Sequence, residues 1–350
     1  MYIPVISATK TPSVPLRFPT EPKRTRILYL ARFAPDEPVL AQKPDTHAAG
    51  YSQYHFNLFT ELQGIGYDVR SSSKPYAAWM AGGNVDFVFS LLNRMPMRNP
   101  EIHVPSVCEY QHLPHLGAPP NIRALAEDKF LSKLAFRALG LPVAEGRAYA
   151  PGQELTPPDF TGPYFVKDRF GAASEGIAAD SLQDSWQGTI PVIQRFHAQG
   201  REALVERYCP GVDVTVPVIG HAPYLVLGHV APQSDEVGGI LTESLKVDDH
   251  LGNRLVSLDA ATAAAVEEDV ATLWRNLGPI DYFRVDYRWN PATGTRTVLE
   301  INICCYFGRH GALALAGSQW GFSRRDLLAH VVEYSLARQH TTHSHYRWMI

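Results

Sequence analysis

The sequence predicts a mixed protein, α/β at its N terminus and α+β beyond, built from two or three compact units. Three observations predict this. A chain of 350 residues is too long for one ordinary core. The first part alternates short apolar strands with helical stretches, the pattern of a small parallel α/β unit. Late in the chain, RVDYRWNPATGTRTVLEIN, from Arg284 to Asn302, reads as two strands joined by a turn, an antiparallel signature.

In chain order, the first 25 residues are proline-rich without periodicity and predict an irregular arm. RILYLA is a strand. In GYSQYHFNLFTELQGIGYDV, Tyr51, Tyr54, Leu58 and Leu62 recur at helical spacing, with Gly64 or Gly66 as the stop. YDVRS and DFVFSLL are further strands, and a Pro/His/Asn-rich connection over roughly 95–120 closes the unit. NIRALAEDKFLSKLAFRALGLPV predicts a helix capped by Asn121 and ended by Gly140 and Pro142. PYFVKD, a Gly/Ala/Ser loop, a helix near 190–199 and ALVERY follow. The last segment holds VDVTVPVIG, PYLVLGHVA, an Ala-rich helix over about 259–276 between Ser257 and Gly278, the hairpin, and a final helix. That helix opens at SRRD, where Ser323 and Asp326 resemble a capping box. The tail QHTTHSHYRWMI reads as a frayed end rather than a metal site.

Composition removes several classes of function. A net charge of −3 sets up no long-range field for nucleic acid or an anionic membrane. No apolar run approaches the ~20 residues needed to span a bilayer. The start of the chain lacks a basic region followed by an apolar one, so the expected location is cytoplasmic. Four cysteines make no disulfide framework, and adjacent Cys304 and Cys305 read as small buried residues.

The hairpin carries the most chemistry. With its turn at about Thr293, strand alternation sets Asp286 opposite Glu300 and Arg284 opposite Asn302 on one face. Val285, Tyr287, Leu299 and Ile301 line the other. Carboxylates ~5 Å apart repel by roughly 3 kcal/mol at an effective dielectric of about 20. Two readings stand: a solvated charged face, or two carboxylates and an amide oxygen suited to Mg²⁺. FVKDRFGAASEGI places Lys167 before a small-residue loop containing Ser174 and Gly176, either an ordinary turn or one whose N–H groups approach phosphate. Lys129, in EDKF, is a surface lysine or a second phosphate contact. ALVERYCPGVDVTV offers Glu206 and Asp213 around a strand-to-strand hinge, either plain surface acids or the edges of a flat-base and ribose site.

Taken in order, lysine, lysine plus loop, Glu-x₆-Asp hinge and Arg-x-Asp…Glu-x-Asn resemble the ATP-grasp superfamily. The closer likeness is to D-alanine–D-alanine ligase-like carboxylate–amine ligases, and it covers roughly Ala124 to Asn302. The resemblance implies a three-domain architecture: an N-terminal parallel α/β unit over 1–120, a small lid domain over 121–208, and a C-terminal antiparallel-sheet domain over 209–350. It implies ATP between the last two, with Lys129, Lys167, Ser174 and Gly176 at the phosphates. Glu206, Tyr208 and Cys209 would hold adenine and Asp213 the ribose. Asp286, Glu300 and Asn302 would hold two Mg²⁺ ions (Mn²⁺ is an alternative), with Arg284 at the reacting carboxylate and Lys246 as a further site lysine. It implies an acylphosphate route to an amide, a lid over residues 168–178, small-molecule partners and a homodimer by analogy. The runner-up activities are an ATP-grasp kinase and D-alanine–D-alanine ligase proper.

The chain departs from that pattern at the amino-acid pockets. Ala49 stands near where the family has a glutamate for the first alanine's amine, and LLNRMPMRNPEI replaces a His-Gly segment. ICCYFGRHGALALAGSQW follows Glu300-Ile301-Asn302 in place of a Pro-Gly turn and a serine. The expectation is ATP machinery with rebuilt substrate pockets, in which Tyr306, Arg309 and His310 face the substrate, and a product of specialised metabolism.

Overall fold

The computed structural model describes residues 15–21, 24–36, 46–93, 95, 97, 99–172, 174–233 and 252–346. Three sheets organise them. The first is parallel: β1 (Arg26–Leu30) lies between β2 (Asp68–Ser72) and β3 (Phe87–Ser90), with α1 (Thr46–Ile65) as the first crossover and the short α2 (Ala77–Met80) in the second. Leu58, Phe59 and Leu62 of α1 are buried against Ile27, Tyr29, Phe87 and Phe89, so the helix repeat and the strand repeat meet in one core.

The connection after β3 is more structured than its composition suggests. It holds a 3-10 turn, Pro100–Ile102, and α3 (His103–Tyr110). Pro100 and Pro105 sit in first turns, where a missing N–H costs nothing. The single helix expected after residue 121 is two, α4 (Pro120–Glu127) and α5 (Lys129–Ala138). Pro119 rather than Asn121 is the N-cap of α4. The break falls at Asp128, whose backbone is extended and whose carboxylate caps Phe130 N (3.0 Å) and Leu131 N (3.1 Å). Arg169 holds the same carboxylate through Nε at 2.8 Å.

The second sheet is antiparallel, in the order β4 (Gly146–Tyr149), β7 (Ala203–Arg207), β5 (Tyr164–Asp168), β6 (Leu182–Gln183). It packs on α6 (Trp186–Ala198) through Tyr149, Val166, Ile193 and Phe196. The third sheet runs β11 (Asn253–Leu255), β10 (Val230–Pro232), β8 (Val212–Gly220), β12 (Tyr282–Asn290), β13 (Thr295–Asn302), with β9 (Tyr224–Val226) beside β8. Its apolar face, including Val285, Tyr287, Val298 and Ile301, is buried under α4, α5 and α7 (Ala260–Leu277). Asp259, not Ser257, caps α7, accepting from Thr262 N at 2.9 Å.

After α8 (Ala312–Ser318), α9 spans Arg324–Tyr346. Ser323 and Asp326 form the expected reciprocal cap, with Ser323 N donating to Asp326 Oδ2 at 2.8 Å and Asp326 N to Ser323 Oγ at 3.1 Å. The tail is helical through Tyr346 rather than frayed from Gln339, because α9 packs along α1 and buries Gln339 against the His115 backbone. The N-terminal arm is tied down where it is described: Arg17 N donates to His330 Nδ1 at 2.8 Å. Among the described residues no helix is long and apolar enough to cross a membrane.

Candidate active site

The β12–β13 hairpin pairs Arg284 with Asn302, Val285 with Ile301 and Asp286 with Glu300. The register then slips, so that Tyr287 faces Val298 and not Leu299. Leu299 is the extra residue of a bulge, and its carbonyl accepts from Lys133 Nζ at 3.1 Å. The opposed acids therefore sit just before an irregularity that joins the hairpin to α5.

Around Asp286 the contacts are dense. Thr215 Oγ1, opposite it on β8, donates to Oδ1 at 2.7 Å, and Asn302 Nδ2 donates to Oδ2 at 2.8 Å. The same amide lies 3.3 Å from Glu300 Oε1, and Lys129 Nζ lies 3.4 Å from Glu300 Oε2. Arg284 Nε lies 3.3 Å from Asp286 Oδ2 but out of line for a hydrogen bond. Burial works against the Arg284 charge, yet Asp286, Cys305 and Glu300 together hold the guanidinium more basic than usual. Asn302 thus bridges two carboxylates through its N–H₂, and a rotated amide would offer its oxygen to the same point. Two carboxylates and one amide oxygen suit a hard cation that completes its shell with water and phosphate. Among the described residues no set of three or more His, Cys, Asp or Glu converges, here or elsewhere.

Three lysines of α5 and β5 lie beside this group. Lys129 opens α5 and also donates to Gly171 O in the small-residue loop. Lys133, one turn later, and Lys167, on β5, meet Glu206 of β7 at 3.1 and 3.0 Å. The side chains of Lys133, Lys167 and Glu206 are only 2, 9 and 4% exposed. Burial alone would raise the Glu206 pKa, but the two ammonium groups pull it below the usual carboxylate range. Burial also lowers Lys133 despite that partner. In the loop, Ser174 and Gly176 both have left-handed backbone (φ 60° and 76°), and a side chain at Gly176 would strike the Phe196 ring.

The hinge lies beyond. Glu206 falls within β7, which continues to Arg207, and faces the lysines rather than the surface. Tyr208, Cys209 and Asp213 all meet Arg288 of β12: its Nε donates to Cys209 O (3.2 Å), Nη1 to Asp213 Oδ1 (2.9 Å) and Nη2 to Tyr208 Oη (3.1 Å). Tyr306 packs at a tilt of 37° against Tyr54 of α1 with ring centroids 4.4 Å apart, and Tyr54 Oη accepts from Phe307 N at 3.1 Å. Arg309 and His310 are exposed; the His310 carbonyl accepts from Asn253, and neither side chain joins the carboxylate group among the described residues. Lys246 and Ala49's side chain lie outside the described residues.

Sequence reading missed Lys133, Thr215 and Arg288. Each carried a periodic signal. Lys133 is four residues past Lys129 on one helix, while Thr215 and Arg288 are two past Asp213 and Asp286 on their strands.

The sheet order and this site define the chain as having the ATP-grasp fold, the architecture of a class of ATP-dependent ligases. No family model matches it. It is 26% identical over 256 residues to a D-alanine–D-alanine ligase of Gluconobacter oxydans (strain 621H), covering 72% of this chain and 82% of the relative. It is 23% identical over 288 residues to that of Glaesserella parasuis serovar 5, covering 80% and 91%. Among solved structures, the Bacillus anthracis D-alanine–D-alanine ligase complexed with ATP superposes with a TM-score of 0.71 at 15% identity, over 91% of this chain and 99% of that one. The Coxiella burnetii ligase gives 0.70 at 15% identity, over 93% and 97%. The chain is thus similar to D-alanine–D-alanine ligases in fold and, at long distance, in sequence.

Proposed function

We propose that the protein is a cytoplasmic ATP-dependent carboxylate–amine ligase that joins two small amino-acid-like substrates through an acylphosphate, in a specialised pathway. The observation that carries this is the group formed by Lys129, Arg284, Asp286, Glu300 and Asn302, in which opposed acids are flanked by one lysine and one arginine. We assign residues 1–120 to an N-terminal domain, 121–208 to the lid and 209–350 to the C-terminal domain.

A carboxylate oxygen of the first substrate attacks the γ-phosphorus of ATP, and the bond to the ADP oxygen breaks. An amine nitrogen then attacks the acyl carbon, the carbon–oxygen bond to phosphate breaks, and the departing amine proton passes to solvent. Magnesium held at Asp286, Glu300 and Asn302 would supply charge neutralisation for the phosphoryl group. Lys129 and Lys167 hold phosphate oxygens, and the backbone N–H groups around Ser174 and Gly176 close over them. Glu206, Tyr208 and Cys209 border the base, and Asp213 takes the ribose. Arg284, permanently charged, stabilises the oxyanion of the second step. The loop over 168–178 excludes water that would hydrolyse the acylphosphate. Tyr306 and Tyr54 wall the amino-acid side of the cleft, with Arg309 and His310 at its mouth, and Lys246 serves as a further site lysine.

The test is incubation with ATP, Mg²⁺ and pooled amino acids while ADP and free phosphate are followed. Release of both that requires a carboxylate and an amine together supports the ligase. A phosphorylated product without free phosphate makes the protein a kinase, and turnover with D-alanine alone makes it a D-alanine–D-alanine ligase proper.

A further inference from the structure

Arg288 has no role in the reading above, yet it holds three residues of the nucleotide hinge at once. On β12 it follows Arg284 and Asp286 at the strand repeat, so it extends the same cleft-facing row. On the neighbouring strand its register partner is Asp213. Its side chain is 8% exposed, and the guanidinium carbon lies 5.7 Å from the Tyr208 ring centroid. The planar fork binds a carbonyl, a carboxylate and a phenol belonging to Cys209, Asp213 and Tyr208. Burying a cation there is costly, and an apolar side chain of similar size would fill the space as well. The polar choice therefore points to what the cation fixes.

We propose that Arg288 is the positioning residue of the sugar and base end of the site, and that by orienting Asp213 it sets a preference for ribose over 2′-deoxyribose. This rests on the nucleotide reading of the hinge. A carboxylate offers about four lone-pair positions, and the Arg288 bond to Oδ1 uses one of them. The remaining positions, held in one orientation, take the two neighbouring hydroxyls of a ribose. Arg288 also offsets the Asp213 charge, which would otherwise repel a triphosphate. Without it the carboxylate turns freely and reads one hydroxyl nearly as well as two.

The experiment compares wild type, Arg288→Met, Arg288→Lys and Asp213→Asn by calorimetric titration with MgATP and with its 2′-deoxy analogue, and by steady-state kinetics with each nucleotide. Wild type should prefer ATP by about tenfold, the worth of one hydrogen bond to a charged group. Arg288→Met should raise KM for ATP by about tenfold, far more than it lowers kcat, and bring the ATP-to-deoxy-ATP ratio toward one. Arg288→Lys, with a single point of contact, should recover only part of the ratio. Should Arg288→Met fail to fold, Asp213→Asn carries the same expectation for the ratio. Equal weakening toward both nucleotides, or an unchanged ratio in Arg288→Met and Asp213→Asn, overturns the proposal. Wild type that binds neither nucleotide overturns the hinge reading beneath it, and the two failures are told apart by the wild-type titration alone.

Discussion

Two charged groups lie one turn apart on α5, and they solve the problem of like charge in different ways. At its start, Lys129 meets the hairpin face where Asp286 and Glu300 oppose each other, partly open to water. One turn on, Lys133 enters a nearly dry group in which Lys133 and Lys167 share Glu206. The dry group combines two cations with one anion, and its internal pairing outweighs burial at Glu206 but not at Lys133. The open group leaves its acids side by side with an amide between them. The difference teaches which group answers its own charge and which leaves charge for a ligand to answer. A buried, charge-paired cluster ties β5 and β7 to α5. A partly open, crowded pair is one whose repulsion a cation would relieve.

The largest expected effect tests the open group. Glu300→Gln should lower kcat by about 10²–10³-fold, the scale on which lost electrostatic stabilisation is measured in other enzymes. Without magnesium the same variant should melt at the wild-type temperature or above it, because one of two facing charges is gone. A clear fall in melting temperature in magnesium-free buffer would show that Glu300 is structural and erase the contrast.

The dry group should behave in the opposite sense. Lys133→Met removes one cation from Glu206 and the bond to the Leu299 carbonyl, and should cost about 3 kcal/mol in urea unfolding. Adding Glu206→Gln to it should cost less than that change does alone, since its partner is already reduced. Additive losses in the double variant would mean that the three side chains are not one unit.

The contrast was half visible in the sequence. The period-two alternation of Arg284–Asn302 leads to the Asp286–Glu300 and Arg284–Asn302 pairs, because one face must be apolar and the other polar. The bulge at Leu299 was not legible, since nothing local marks a residue whose carbonyl is wanted by a helix distant in sequence. The break at Asp128 was equally hidden: helical periodicity runs through it, and the Arg169 contact that favours the extended backbone is tertiary. The fate of Glu206 shows the same limit. A carboxylate at a strand end reads as an exposed acid until the fold brings two lysines to it.

Glu127 shows what Glu206 would be without those lysines, and offers the smallest and most specific test. It ends α4, two residues before Lys129, and its Oε2 is buried with no hydrogen-bond partner. Burial, reinforced by the charge of Glu101, pushes its pKa up from 4.5 to about 8, against the pull of Arg123 and Lys129. A carboxyl more basic folded than unfolded binds extra protons in the native state between those values. The stability it contributes is complete below the unfolded pKa and is lost as pH rises through about 8. Glu127→Gln, a stand-in for the protonated form, should match wild type near pH 5 and melt a few degrees higher near pH 9. Glu206 should give the mirror image: its folded carboxyl is more acidic than the unfolded one, so its contribution is present above the unfolded pKa and fades as pH falls through the folded one. Melting curves of wild type and Glu127→Gln from pH 5 to 9 decide the matter. A constant offset across that range would mean that Glu127 is already ionised in the native protein, and that lysine contact is not what separates the two glutamates.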